Sequence, residues 1–489
     1  MVAPLLFVDN VGVAGACTCY RYVGATPSQV GTSFGARWTG VTSYVQTHHG
    51  AIFYKGNLYA IAQDGVYVKD DPTTDNIADT WTQSVAFTNP TTSKPRTSGL
   101  HIVYIADAPI LALVFGDLSS DNSWRWAKFD GTTWTQAASP VVSASMGELF
   151  SVIVYRQVIH MLGGGTSNPK GLTFDPAAET FSAPTDVFAS TQYSSLMCVF
   201  NDRLFALYYL TGVGRMSEFS GGSWIDVPGA NVGAVDSGNY VGKWALWTDG
   251  TYMYGMVPSP FNTNGWRVYQ WDGTLGAPVN LTATVLPSSL ISTTDGGTYG
   301  GGSIQQGVVF ACGDQETDPA VGDVWLFQTI SPNAGTPYSL WKWNGPAALI
   351  GNAGVANDSG GDVKNAVPDT QVPGGEYIWS AGKLDIWITG KSATAGAQRT
   401  TFRCAGAPGA ANKNVKFYYD GENEPPIALA TLIGVGVISG APVGAPSLGT
   451  NEVLNVDADP TVEYYADWDL FTDGLFAGDR AQLKPVVSV

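Results

Sequence analysis

Few residues in this 489-residue sequence carry the chemistry of a reactive centre. The four histidines are His48, His49, His101 and His160. Adjacent side chains on a strand point to opposite faces, so His48 and His49 do not easily present two nitrogens to one metal ion, and a surface or packing role is expected. His160 sits inside an apolar run and is expected in the interior. Five cysteines, Cys17, Cys19, Cys198, Cys312 and Cys404, are too scattered for a disulfide framework, and no second Cys or His pair with metal-like spacing joins Cys17 and Cys19. Buried free thiols are expected. The segment Asp467-Trp468-Asp469-Leu470-Phe471-Thr472-Asp473-Gly474 alternates oxygen ligands as a calcium loop does, but it lacks the closing Glu of an EF-hand and reads as a charged strand end. Arg125, Arg156, Arg203, Arg215 and Arg267 recur along the chain, and arginines that converge grip a carboxylate in paired hydrogen bonds. No phosphate-cradling glycine loop, nucleophile elbow or zinc spacing occurs. No catalytic, cofactor-binding or metal-ligating residue is assigned, and neither an enzymatic activity nor a cofactor is expected.

The elements that position these residues are hairpins. One signature is an apolar-aromatic strand, a short polar turn and a second such strand. It occurs at Ala51–Ile61, Ile102–Ala112, Val152–Met161, Cys198–Leu207, Ala245–Tyr254 and, more loosely, Ser303–Ala311. Turn residues Gly56, Asp107, Gln157, Asp202, Asp249 and Gly307 are spaced by 51, 50, 45, 47 and 58 positions. A second signature follows each: an aromatic strand, then Asp, Asn or Ser with Gly, and often Trp. Its copies are Trp126–Trp134, Leu172–Phe181, Met216–Trp224, Val268–Gly273 and Leu340–Gly345, with a weaker first copy at Val66–Asp70. Two hairpins per repeat make a four-stranded antiparallel sheet, and Asp-Gly or Asn-Gly supplies the positive φ of tight turns. Such a sheet cannot bury both faces alone. Six of them packed around an axis can, which predicts a six-bladed β-propeller over residues 48–353, with seven blades as the other count. A sandwich array or a β-helix is the competing arrangement.

Composition agrees with an all-β chain: 59 Gly, 28 Pro, 12% aromatic and 13% charged, where an ordinary domain carries about 25% charge. The net charge of −17 repels nucleic acid and anionic lipid, so binding to either is not expected. Residues 1–47 hold no full repeat and read as an arm or a ring-closing segment. Residues 354–375 read as a Gly- and Asn-rich linker, and 376–489 as a β-sandwich, beginning with a hairpin over Tyr377–Ile388. No basic leader and no apolar run of about 18 residues is seen, so neither export nor a membrane helix is expected.

The repeat resembles the kelch family of propellers in its length and in an ending where an aromatic-Asp turn leads to Trp, and Gly163-Gly164-Gly165 matches the kelch glycine cluster. Asp130-Gly131-Thr132-Thr133-Trp134 is also similar, in part, to the turn repeated in sialidases, a resemblance that implies a glycoside hydrolase with converging arginines. The sparse charge, the many small residues and the absence of a catalytic set resemble structural proteins of tailed-phage virions. That resemblance implies a non-enzymatic assembly protein, made in a host cytoplasm and resident in the virion as a tail nozzle, fibre or decoration, contacting copies of itself and other virion proteins. A carbohydrate-binding propeller, with a glycan stacked on some of its 16 Trp and 22 Tyr, is the alternative, and the sialidase-like enzyme a second.

Overall fold

The computed structural model describes residues 5–10, 16–23, 26–29, 31–36, 51–55, 57–70, 78–90, 97–105, 108–118, 123–143, 148–164, 170–186, 195–200, 203–210, 212–235, 245–248, 252–258, 266–282, 306–313, 322–329, 338–343, 349–356, 378–380, 385–394, 397–405, 413–421, 428–457, 461–469, 473 and 481–488. Nearly all of the described elements are strands, arranged in nine sheets.

Six sheets follow one another along the chain, each an antiparallel meander. Blade 1 is Ala51–Tyr54, Asn57–Ala62, Gly65–Lys69 and Trp81–Ala86. Blade 2 is His101–Ile105, Ala108–Gly116, Ser123–Phe129 and Trp134–Gln136. Blade 3 is Glu148–Tyr155, Val158–Gly164, Lys170–Asp175 and Thr180–Phe181. Blade 4 is Ser195–Phe200, Arg203–Leu210, Val213–Ser220 and Ser223–Asp226. Blade 5 is Ala245–Thr248, Met253–Pro258, Trp266–Trp271 and Val279–Asn280. Blade 6 is Gln306–Gly313, Gly322–Thr329, Tyr338–Trp343 and Leu349–Ala356. The first hairpin signature is the inner strand pair of a blade and the second is the outer pair. The sixth copy differs in register: Gly307, expected in a turn, lies within a strand opposite Gln328. The run Val308-Val309-Phe310-Ala311 extends that strand without interruption, and no Asp-Gly pair closes it there.

Period-two alternation builds the core. Leu111, Leu113 and Phe115 of blade 2 pack with blade 1, whereas Ala112 and Val114 between them pack with blade 3. In blade 4, Leu204, Ala206 and Tyr208 face blade 3, and Phe205 and Leu207 face blade 5. Each fully buried Leu, Val or Phe side chain among these contributes about 1.5–3 kcal/mol.

A seventh sheet closes the ring. Its order is Thr26–Gln29, Ala16–Val23, Leu5–Asn10 and Ile378–Ser380, so three strands come from the start of the chain and one from beyond blade 6. The first strands of blades 3, 4, 5 and 6 lie side by side in succession, and Ile378–Ser380 continues the series next to Gln306–Gly313. Thr26–Gln29 lies beside Leu349–Ala356 of blade 6. On the other side Cys17 and Phe34 join the core of blade 1, where the Phe34 ring stacks on Trp81 with centroids 4.4 Å apart. The all-β propeller is therefore a closed circuit of sheets, with the seventh lying between blade 6 and blade 1. The hairpin expected over Tyr377–Ile388 does not form, because Ile378, Trp379 and Ser380 pair with Val8, Phe7 and Leu6 instead.

Two further sheets face each other as a sandwich. One has the order Asp385–Thr394, Ala397–Ala405, Glu463–Trp468, Leu432–Ser439. The other runs Ala428–Leu429, Lys413–Gly421, Glu452–Val456, Ser447–Leu448, with Ala481–Ser488 also paired to Lys413–Gly421. Phe402, Cys404, Val415, Phe417, Val453, Tyr464 and Trp468 form the core between them. Ala428–Leu429 and Leu432–Ser439 are separated at Ala430-Thr431, where the chain crosses from one sheet to the other.

Candidate functional site

The outer turns of blades 2, 3 and 5 carry Asp130, Asp175 and Asp272, whose carboxylates are turned back onto their own loops. Asp130 Oδ1 accepts hydrogen bonds from the Thr132 hydroxyl at 2.6 Å and from the Thr132 and Thr133 amides at 2.7 and 2.8 Å. Those donors, the Thr132 hydroxyl foremost, hold the Asp130 carboxyl down at about 2. Asp175 Oδ1 accepts from the Ala177 and Ala178 amides at 2.8 and 3.0 Å. Asp272 Oδ1 accepts from the Thr274 hydroxyl and amide, and its carboxyl is likewise held below the ordinary range. The feature that resembled a sialidase turn is thus a self-closing Asx turn.

The lysines beside these turns tie neighbouring blades together. Lys55 Nζ of blade 1 donates to the Asp130 carbonyl of blade 2 at 2.5 Å. Lys128 Nζ of blade 2 reaches the Pro176 carbonyl at 2.9 Å and Glu179 Oε1 at 2.6 Å in blade 3. Tyr104 and Gln157 join blades 2 and 3 through an amide-to-Oε1 bond of 2.6 Å.

The arginines are placed apart. Arg125 is buried on the third strand of blade 2, paired with Asp117 and donating to the Ala137 carbonyl at 3.0 Å. Arg203 forks onto Glu218 within blade 4, at 2.7 and 2.6 Å. Arg215 sits 3.5 Å from Asp226 in the same blade. Arg156 occupies the inner turn of blade 3 with its guanidinium over the Tyr155 ring, and Arg267 lies on the third strand of blade 5. Three of the five therefore meet a carboxylate of their own blade.

His160 is buried between the rings of Tyr155 and Phe219, with centroids 5.7 and 5.0 Å away, and its burial lowers the imidazole to about 4. His101 is buried with Nε2 2.7 Å from the Ser98 carbonyl. Cys17, Cys198 and Cys404 are buried thiols outside any disulfide, and burial pushes the Cys198 thiol far up. His48 and His49 lie outside the described residues, as do the side chains of Cys19 and Cys312.

The acidic segment 467–474 does not gather its carboxylates. Asp467 points outward and takes a two-pronged grip from Arg399, at 2.8 Å for each contact. Asp473 instead accepts from the Thr431 amide and hydroxyl at 2.8 and 2.7 Å and from Trp468 Nε1 at 2.5 Å. Among the described residues no group of three or more His, Cys, Asp or Glu is arranged to hold a metal ion. No helix among them is long and apolar enough to cross a membrane.

Most of the described indoles are committed to packing. Trp124, Trp247, Trp271 and Trp468 are fully buried. Trp134 stacks on Phe129 at 4.9 Å and donates to Ser84 Oγ of blade 1 at 2.8 Å. What the sequence reading missed is a side wall of the sandwich. There Ile433, Ile438, Val443 and Leu448 are 51%, 49%, 95% and 43% exposed, a concentration of bare apolar side chains in one stretch of chain. A signal for it was present: residues 427–451 contain no Asp, Glu, Lys or Arg.

No family model matches the sequence, and a search of curated proteins finds no match. Among solved structures, the six-bladed fucose-recognising lectin of the fungus Aleuria aurantia is 13% identical, covering 65% of this chain and 99% of its own, with a TM-score of 0.36. A functionally unknown protein from Desulfotomaculum acetoxidans is 9% identical over 77% of this chain and 98% of its own, at 0.41. A β-1,3-galactosidase of glycoside hydrolase family 43 is 8% identical over 63% and 97%, at 0.30. Likeness at this level assigns the chain neither a ligand nor an activity.

Proposed function

We propose that this chain is a non-enzymatic structural subunit, a rigid block in a symmetric oligomer of the kind built into tailed-phage virions, such as a tail nozzle. The observation that carries this reading is where the polar groups go. Turn carboxylates are closed on their own loops, Lys55 and Lys128 fasten one blade to the next, and Arg125 and Arg203 are neutralised inside their blades. Side chains spent in this way stiffen a scaffold and leave little for a substrate. Bare apolar surface is gathered instead on the sandwich, as a subunit contact requires. The charge of −17 fits a block that must not adhere to passing nucleic acid.

One observation favours carbohydrate binding as a second reading: Tyr252, beside the inner turn of blade 5, is 37% exposed, and an exposed tyrosine can stack on a sugar face. Light scattering and electron microscopy of the isolated chain, run beside a glycan array, separate the two. A closed assembly of identical subunits without glycan binding is the expected result. A monomer that binds one defined sugar overturns it.

A further inference from the structure

The side wall of the sandwich has the properties of a strand-to-strand contact. Among the described residues Leu432–Ser439 is the last strand of its sheet, paired with Glu463–Trp468 on one side only. Its register is irregular between Leu432 and Gly434 and between Val437 and Ser439, while Gly434, Val435, Gly436 and Val437 pair in unbroken succession with Asp467, Ala466, Tyr465 and Tyr464. Ser447–Leu448, which ends the facing sheet, lies against the same strand. Both edges thus belong to the charge-free segment 427–451, and the loop between them carries the nearly bare Val443.

Sheet edges with open backbone donors and acceptors pair with other chains unless charge, proline or a covering segment prevents it. Leu432–Ser439 contains neither a charged residue nor a proline. Val435 and Val437 turn toward the sandwich core, while Ile433 and Ile438 are left in solvent. On the outer face of the same sheet the nearest charges cancel in pairs: Arg399 grips Asp467, and Arg403 lies 3.5 Å from Glu463. Gly434 and Gly436 leave room for this arrangement. A Cβ on Gly436 would fall 2.5 Å from the Tyr465 ring, over which the Arg399 guanidinium stacks at 3.9 Å.

We infer that Leu432–Ser439 pairs antiparallel with the same strand of a second copy of this chain, joining two sandwiches by a continuous sheet across a two-fold axis. The occupant follows from charge. Two copies each carrying −17 repel over most of their approaches, and they meet most cheaply where neither presents a net charge, which is this wall. An isologous contact also needs a patch that complements itself, and an uncharged strand with Ile433 and Ile438 near its two ends does so when its copy runs the opposite way. This inference rests on the oligomeric reading above and names the surface that serves it.

The test compares the full-length chain with the Ile433→Lys/Ile438→Lys double variant by light scattering over a range of concentrations, with amide exchange on the unaltered chain. Both positions are solvent-exposed, so the variant is expected to fold, and the mass of the assembly is expected to halve. In the unaltered chain, amides of Leu432–Ser439 are expected to exchange more slowly as concentration rises, while those of Glu463–Trp468 do not change. An assembly whose mass is the same in the double variant overturns the inference and leaves the oligomeric reading standing. A chain that is monomeric at every concentration overturns both. If the variant misfolds, the exchange measurement decides: rates in Leu432–Ser439 that ignore concentration overturn the pairing.

Discussion

The hydroxyl of Tyr54, on the innermost strand of blade 1, donates to the backbone carbonyl of Pro109 in blade 2 at 2.6 Å, in a buried position. The same ring packs on Tyr59 and Phe129, so one side chain supplies both apolar contact and a polar stitch between consecutive blades. Tyr54→Phe keeps the ring and removes the donor from the Pro109 carbonyl. It is expected to lower stability by about 1–2 kcal/mol, read as an earlier midpoint in urea with an unchanged slope.

Phe34 tests the closure of the ring. Its ring stacks on Trp81 and lies 5.4 Å from Tyr67, linking the segment after the seventh sheet to blade 1. Phe34→Ala opens a void at that seam and is expected to cost about 3–5 kcal/mol. Quenching of tryptophan fluorescence by iodide is expected to be greater in the variant than in the parent, and the excess to vanish when both also carry Trp81→Phe.

His160 makes the propeller sensitive to acid. Its imidazole titrates at about 4 when folded, against an ordinary value of 6.5, because it is buried among aromatic rings. The unfolded chain therefore takes up this proton first. The contribution is fully present above pH 6.5 and declines as pH falls toward 4, by roughly 3 kcal/mol in all. His160→Leu is expected to flatten that part of the stability profile, measured by thermal melts at successive pH values. A slope unchanged in the variant would assign the acid sensitivity elsewhere.

Asp473 is a structural clamp. It holds the Thr431 crossover between the two sheets and the indole of the buried Trp468. Asp473→Ala strands the indole N–H and the Thr431 amide, with an expected cost of about 2 kcal/mol and a changed near-ultraviolet dichroism band. Calcium at millimolar concentration is expected to leave the melting temperature of the parent unchanged. A calcium-dependent rise that disappears in Asp473→Ala would contradict the clamp.

Hairpins were the most legible part of the chain, because their causes are local. Tyr155-Arg156-Gln157-Val158 and Phe129-Asp130-Gly131 turn where the sequence places polar and glycine residues between apolar strands. The alternation along Leu111–Phe115 and Leu204–Tyr208 sends successive side chains to different neighbours, as period two requires. The destinations of the charged groups were not legible. Asp467 and Asp473 look alike in the sequence, yet one meets Arg399, 68 residues away, and the other meets Thr431, 42 residues away.

The sequence by itself determined that the chain is all-β, that four-stranded meanders recur at intervals of 45 to 51 residues over the first five blades, and that a differently textured region follows. Turn chemistry and side-chain periodicity act over a few residues, and those suffice. Tertiary structure alone decided that Leu5–Asn10 pairs with Ile378–Ser380 to complete a seventh blade, and that Leu432–Ser439 is left at an edge. Which strand meets which across hundreds of residues depends on how many sheets fill the circle and on which faces remain uncovered, and neither is written in any short stretch of chain.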